Sequence, residues 1–230
     1  MNLYLPVFIS ILLLFSCNEP TSKQNTGNSV TGYNNATVDF KRTLPDYSQF
    51  KSAVAIQRKS FKKDSVQAIR QFLYKTISDD IFSYWEGTKW DFNGTVREPG
   101  KGEIACGYFI TNTLDDLGFK LNRVKLAQGV SSKLIKTLCL NIRNFDSFSG
   151  LSNYLQSEPD SSVYIIGLDY HTGYILKDST GIYFLHSNYI NRVGVVKEKI
   201  DASTNLRSNR NFMIGNLSQN KRLLQEWIKS

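Results

Sequence analysis

The hydrophobic period of this chain changes near residue 160, and that change constrains the fold more than any other feature. Upstream, apolar residues recur at helical spacing, as in Val66, Ile69, Leu73 and Ile77, and again in Phe109, Ile110, Leu114 and Leu117. Four helices are expected there. The first runs from Ser65 to about Tyr84 and is broken by Glu86-Gly87-Thr88. The second opens near Cys106 and closes at Gly118, well placed as its C-cap. The third covers residues 130–140, and the fourth residues 145–155, ahead of Glu158-Pro159. Residues 90–102 form a loop rich in glycine. Downstream of the change, short runs of β-branched and aromatic residues alternate with turn formers. Residues 163–168, 173–176 and 182–186 predict three strands, with Lys177-Asp178-Ser179-Thr180-Gly181 as a hairpin turn. Residues 193–197 and 211–217 predict two more, and residues 221–229 a closing helix. Helices first and an antiparallel sheet after them define an α+β domain. Residues 46–230, about 185 in number, are enough for one such domain.

The N-terminus carries a different message. Residues 3–15 are apolar apart from Pro6 and Ser10, too short a run for a bilayer core, which takes about 20 residues. The length suits the apolar core of a signal peptide. The run ends in Leu14-Phe15-Ser16-Cys17, which resembles the bacterial lipobox. That resemblance implies removal of the leader before Cys17 and lipidation of Cys17. The domain is then expected outside the cytoplasm, anchored in the bacterial cell envelope at the outer membrane. Residues 18–45 are polar and rich in Asn, Thr, Ser and Gly, a composition that cannot offset its ordering entropy. As a flexible tether of about 28 residues they reach on the order of 30 Å.

The formal net charge is +8, and no charged side chain precedes Cys17. Such a balance favours anionic surroundings, including lipid headgroups and carboxylate-bearing peptides. No nucleic-acid motif is present, and export removes that partner. A monomer is expected, with no cofactor. No Cys-x-x-Cys or His-x-x-x-His pair suggests a metal site.

Cys106, His171 and His186 are the residues that carry chemistry. His171 and His186, the only two histidines, fall on partner strands of the predicted hairpin, where they become neighbours across the ladder. Cys106 stands at a helix start, whose partial positive charge and unpaired N–H groups favour a thiolate. A thiol, an imidazole base and a second polar group are the parts of a cysteine nucleophile system. Cys139 lies in an apolar run and is expected in the core.

Four segments resemble the NlpC-type cell-wall cysteine peptidases, a papain-like family. Gly87-Thr88-Lys89-Trp90-Asp91-Phe92-Asn93-Gly94 is similar to their Gly-Thr-x-Tyr-x-Trp-Gly-Gly segment. Ala105-Cys106-Gly107-Tyr108-Phe109-Ile110 is similar to their Asp-Cys-Ser-Gly-Phe-Val nucleophile motif. His171-Thr172-Gly173-Tyr174-Ile175-Leu176 and Phe184-Leu185-His186-Ser187 are similar to their two histidine strands. The resemblance covers residues 64–190 and leaves the C-terminal forty unplaced. It implies a papain-like fold, Cys106 as nucleophile, His171 as base and His186 as the residue that orients His171. It also implies an amide bond in peptidoglycan stem peptides as substrate. Trp90, matching the family's tyrosine, becomes a substrate-stacking candidate. Trp90, Ala105 and Gly107 are also the positions that would mark the alternative, a non-catalytic binding or scaffold module of the same fold.

Overall fold

The computed structural model describes residues 44–230. The leader, Cys17 and nearly all of the 18–45 segment lie outside the described residues. Helix α1 (Tyr47–Lys59) starts at Asp46, whose carboxylate accepts from the Ser48 N–H at 2.7 Å. Helix α2 (Val66–Lys75) continues through a π-helical segment (Thr76–Ile81) into α3 (Phe82–Trp85). Next come α4 (Cys106–Asp116), α5 (Arg123–Ala127) and α6 (Ser131–Leu138). Strand β1 (Leu140–Phe145) and helix α7 (Phe148–Ser157) lead into β2 (Ser162–Gly167), β3 (Thr172–Asp178), β4 (Gly181–Asn188) and β5 (Gly194–Lys199). Helix α8 (Thr204–Arg207), strand β6 (Phe212–Asn216) and helix α9 (Lys221–Trp227) close the chain. No described helix is long and apolar enough to cross a membrane.

The six strands form one antiparallel sheet in the order β1-β6-β2-β3-β4-β5. Its two faces follow the two-residue alternation of the strands. Val163, Ile165, Tyr174, Leu176 and Leu185 join the core shared with the N-terminal helices and α9. Tyr164, Ile166, Ile175, Phe184 and Ile214 face the opposite way, against Leu151 and Leu155 of α7, Ile200 and Leu206. The α+β class therefore holds, with N-terminal helices on a six-stranded antiparallel sheet.

The expected elements are present with shifts. The third and fourth helices are shorter at the ends that face each other, because residues 140–145 are an edge strand, β1, and belong to neither. The C-terminal forty residues complete the sheet, since β6 sits between β1 and β2. Cys139 is buried as expected, and both described cysteines are free thiols.

Helix α4 is the element that sets the site. Phe109, Ile110 and Leu114 are fully buried against the sheet. The Tyr174 hydroxyl of β3 lies 3.2 Å from the Ile110 carbonyl and 2.9 Å from Thr113 Oγ1, so the helix is pinned by polar as well as apolar contacts. The preceding loop is tied to the same helix. Arg97 reaches Asp115 at 2.8 Å and Asp116 at 3.1 Å, and Asn112 donates to the Val96 carbonyl at 2.7 Å. Gly107 allows α5 to pass directly across the start of α4, because a Cβ there would collide with the Ala127 carbonyl oxygen. A serine at this position, as in the family pattern, has no room.

Candidate active site

Cys106 is the first residue of α4. Its N-cap, Ala105, has extended backbone and no side-chain acceptor, so the first-turn N–H groups stay uncapped. The loop ahead of it is held to the sheet by Ser187, which donates to the Ile104 carbonyl at 2.7 Å. The Cys106 side chain is half-buried, and the nearby backbone N–H groups of Thr172, Gly107 and Cys106 itself favour its thiolate form.

His171 immediately precedes β3 and His186 lies inside β4. Both are buried, at 4% and 0% exposure. The pairing Tyr174↔Leu185 sets Gly173 opposite His186, with His171 two residues away on the diagonal. A Cβ at Gly173 would sit 2.5 Å from the Phe184 ring and 2.8 Å from His186 Cβ. Glycine there leaves room for the Phe184 ring that stacks on His186. His171 Nε2 and His186 Nδ1 are 2.7 Å apart, with ring planes at 76°. Phe184 stacks on His186 at 3.9 Å between centroids.

A residue that the sequence reading missed extends this pair. Glu198 of β5 lies on the next diagonal, since His186 pairs with Val196, and its Oε1 is 3.2 Å from His186 Nε2. Burial pushes the Glu198 carboxyl up, but hydrogen bonds from His186 and Ser203 outweigh it and hold the group below its ordinary value. An ionised carboxylate only accepts, so His186 carries its proton on Nε2 and presents a lone pair at Nδ1. His171 must then donate through Nε2–H. Its Nδ1 is left as a bare acceptor, buried and without any hydrogen-bond partner. Three side chains on three adjacent strands thus fix one tautomer. The sequence carries no local signal for Glu198, because β5 runs two residues past the expected 193–197 strand through the charged Lys197-Glu198-Lys199.

Cys106 and His171 line the same cavity, of about 770 Å³. Its walls include Trp90 and Tyr189, whose rings lie 6.1 Å apart, and Tyr189 packs edge-on against His171 at 5.1 Å. Trp90 is therefore in the cavity wall and half-buried. A smaller cavity of about 210 Å³ adjoins Cys106 and His171 on the side of Ser131 and Leu168. Among the described residues no group of three His, Cys, Asp or Glu side chains is arranged to hold a metal ion.

The electrostatics correct one expectation. Burial drives the Cys106 thiol above its ordinary value despite the N–H groups around it, so the helix start does not prevail. Burial also holds His171 well below its ordinary value, with His186 adding to the effect, and lowers His186 against the opposing pull of Glu198. No Sγ–Nδ1 hydrogen bond is made. The resting pair is a neutral thiol beside a neutral imidazole.

No family model matches the chain, and neither a curated protein nor a solved structure shows significant similarity to it.

The alkylation rate of Cys106 tests this charge state. With iodoacetamide it should climb about tenfold per pH unit from about pH 6 to about pH 8.5, with no plateau, because only the thiolate reacts. A plateau near pH 6 would reveal a preformed thiolate–imidazolium pair and contradict the geometry.

Proposed function

We propose that the domain is a papain-like thiol hydrolase that opens an amide bond through an acyl-thioester on Cys106. One observation carries this reading: the unpartnered Nδ1 of His171, held as an acceptor by His186 and Glu198, on the wall of the cavity that Cys106 also lines. A nucleophile at the start of a helix packed on an antiparallel sheet, with its base on a neighbouring strand, is the papain-like arrangement implied by the sequence resemblance.

The chemistry runs in two halves. The Cys106 thiol gives its proton to His171 Nδ1 as sulfur attacks the carbonyl carbon. A C–S bond forms, and the carbonyl becomes an oxyanion. The Cys106 N–H, uncapped at the helix start, is placed to donate to that oxygen. The C–N bond then breaks, and the proton on His171 leaves with the amine. In the second half His171 takes a proton from water, hydroxide displaces the thioester, and the proton returns to the thiolate. The imidazolium formed between steps is stabilised by the path through His186 to Glu198. The reaction consumes one water and needs no oxidant or metal.

The substrate implied by the resemblance is a cell-wall stem peptide, reached from a lipid anchor at Cys17 on the outer membrane. The second reading, a binding module of the same fold, is favoured by the missing Sγ–Nδ1 hydrogen bond.

One measurement separates these readings, and a second tests the anchor that both share. Muropeptide cleavage should vanish in Cys106→Ala. It should fall by about 10²–10⁴ in His171→Ala, the worth of a general base. His186→Ala should be milder and Glu198→Gln milder still, each losing mainly kcat. Cleavage that persists without Cys106 rejects the assignment. In cell fractionation, Cys17→Ala should move the folded protein from the membrane to the soluble fraction; unchanged membrane retention would point to an uncleaved anchor instead.

A further inference from the structure

The two cavities beside Cys106 differ in lining but share one property. The larger is walled by Trp90, Phe92, Tyr108, Tyr170 and Tyr189, with Asn93, Thr95 and Gln128 as its uncharged polar members. Among the described residues, no Lys or Arg lines either cavity. The smaller holds one carboxylate, Asp169, which accepts from Asn211 Nδ2 at 3.0 Å. Arg123, hydrogen-bonded to Asn112, lies 5.5 Å from the centroid of the Tyr108 ring, behind the wall and not among the lining residues. Two nearby cations, Arg123 behind Tyr108 and Lys133 beside Gly129, thus stand outside both linings.

The rim is as telling as the wall. Phe92 is 79% exposed and Tyr170 94% exposed, and both stand at the mouth of the larger cavity. Val130, 71% exposed, stands at the mouth of the smaller one. Exposed apolar side chains at the mouths of both cavities mark a surface that meets an apolar ligand. Aromatic walls gain from stacking and from area removed from water, and neither gain requires charge. A carboxylate entering this lining would give up its hydration with no cation to replace it, only the uncapped N–H groups at the start of α4.

We infer that the substrate segment lying across Cys106 is uncharged and apolar, an acyl group with an aliphatic or aromatic side chain and no free carboxylate beside the scissile bond. This rests on the reading of Cys106 as the attacking group and narrows its substrate class. For a cell-wall peptide it restricts cleavage to positions whose neighbouring carboxyl groups are amidated or already consumed in bonds.

The test compares thiol reagents on the full chain, following the Cys106 peptide by mass spectrometry. Rates with iodoacetamide, N-benzyl iodoacetamide and iodoacetate are each divided by the rate with 2-mercaptoethanol at the same pH. The benzyl reagent should be favoured over iodoacetamide by about 2- to 10-fold, as aromatic contacts allow. Iodoacetate should be disfavoured by at least about tenfold, as an unpaired buried charge requires. Gln128→Lys, which places a cation in the larger cavity, should recover most of the iodoacetate rate. Iodoacetate labelling on a par with iodoacetamide in the parent protein, or rejection of the benzyl reagent, overturns the inference. The catalytic reading fails separately. Neutral-selective labelling with no turnover of any acyl amide sinks catalysis and leaves the neutral cleft standing. Cys106-dependent turnover with iodoacetate fully accepted does the reverse.

Discussion

The site depends on one geometric relation, the diagonal contact between side chains two residues out of register on adjacent antiparallel strands. His171 meets His186 across β3 and β4, and His186 meets Glu198 across β4 and β5. Both steps run the same way over the sheet. Gly173, directly opposite His186, leaves open the place where a side chain would meet the Phe184 ring and the His186 Cβ. A slip of one residue in either pairing would send a partner to the opposite face and break the chain of hydrogen bonds. The extensive pairing along β2, β3, β4 and β5 therefore holds the chemistry in place as well as the fold.

Burial then sets the charge of that chain. Two imidazoles with almost no exposure are costly to protonate, and a crowded thiol is costly to ionise. The carboxylate at the far end is the one member kept charged, because it sits partly in solvent, with 26% side-chain exposure, and receives hydrogen bonds. A fixed negative charge at one end and a lone pair at the other define a direction for proton movement. On the proposed reading the proton stays on sulfur until a substrate arrives, and an imidazolium formed during reaction would be met by a carboxylate already in position. The aromatic, cation-free lining adds to the same economy, since a neutral pair is best kept in neutral surroundings.

Much of this was legible in the sequence where local pattern and burial agree. The β2–β4 strands are short apolar runs with a turn-forming segment, Lys177-Asp178-Ser179-Thr180-Gly181, between the last two, so the placing of both histidines on one hairpin followed directly. The helix that begins at Cys106 was equally plain from Phe109, Ile110 and Leu114. Elements with thin buried stripes were not. In α1 only Val54 and Arg58 are fully buried, and its first residue acts through a polar contact, Tyr47 to Asp116 at 3.0 Å. Strand β1 lies at the sheet edge with Leu140, Asn141, Arg143 and Asn144 exposed, and its register breaks between Leu140 and Arg143. Non-local pairing leaves no local trace, so the insertion of β6 between β1 and β2 could not be read. Glu198 was hidden for a different reason. Lys197-Glu198-Lys199 has the look of a solvated strand end, and only the register of β5 against β4 turns that acid toward His186.

The tautomer of His171 tests the account most directly, because every step assigned to the site follows from a bare Nδ1. With two histidines in the chain, long-range proton–nitrogen correlation spectra of protein labelled with ¹⁵N in histidine resolve both rings, and His186→Ala assigns them. The account predicts that both are neutral at about pH 7 and that both carry their proton on Nε2. It also predicts that His171 stays neutral well below the ordinary histidine range, as its burial demands. A His171 ring protonated on Nδ1, or an imidazolium at neutral pH, would contradict it.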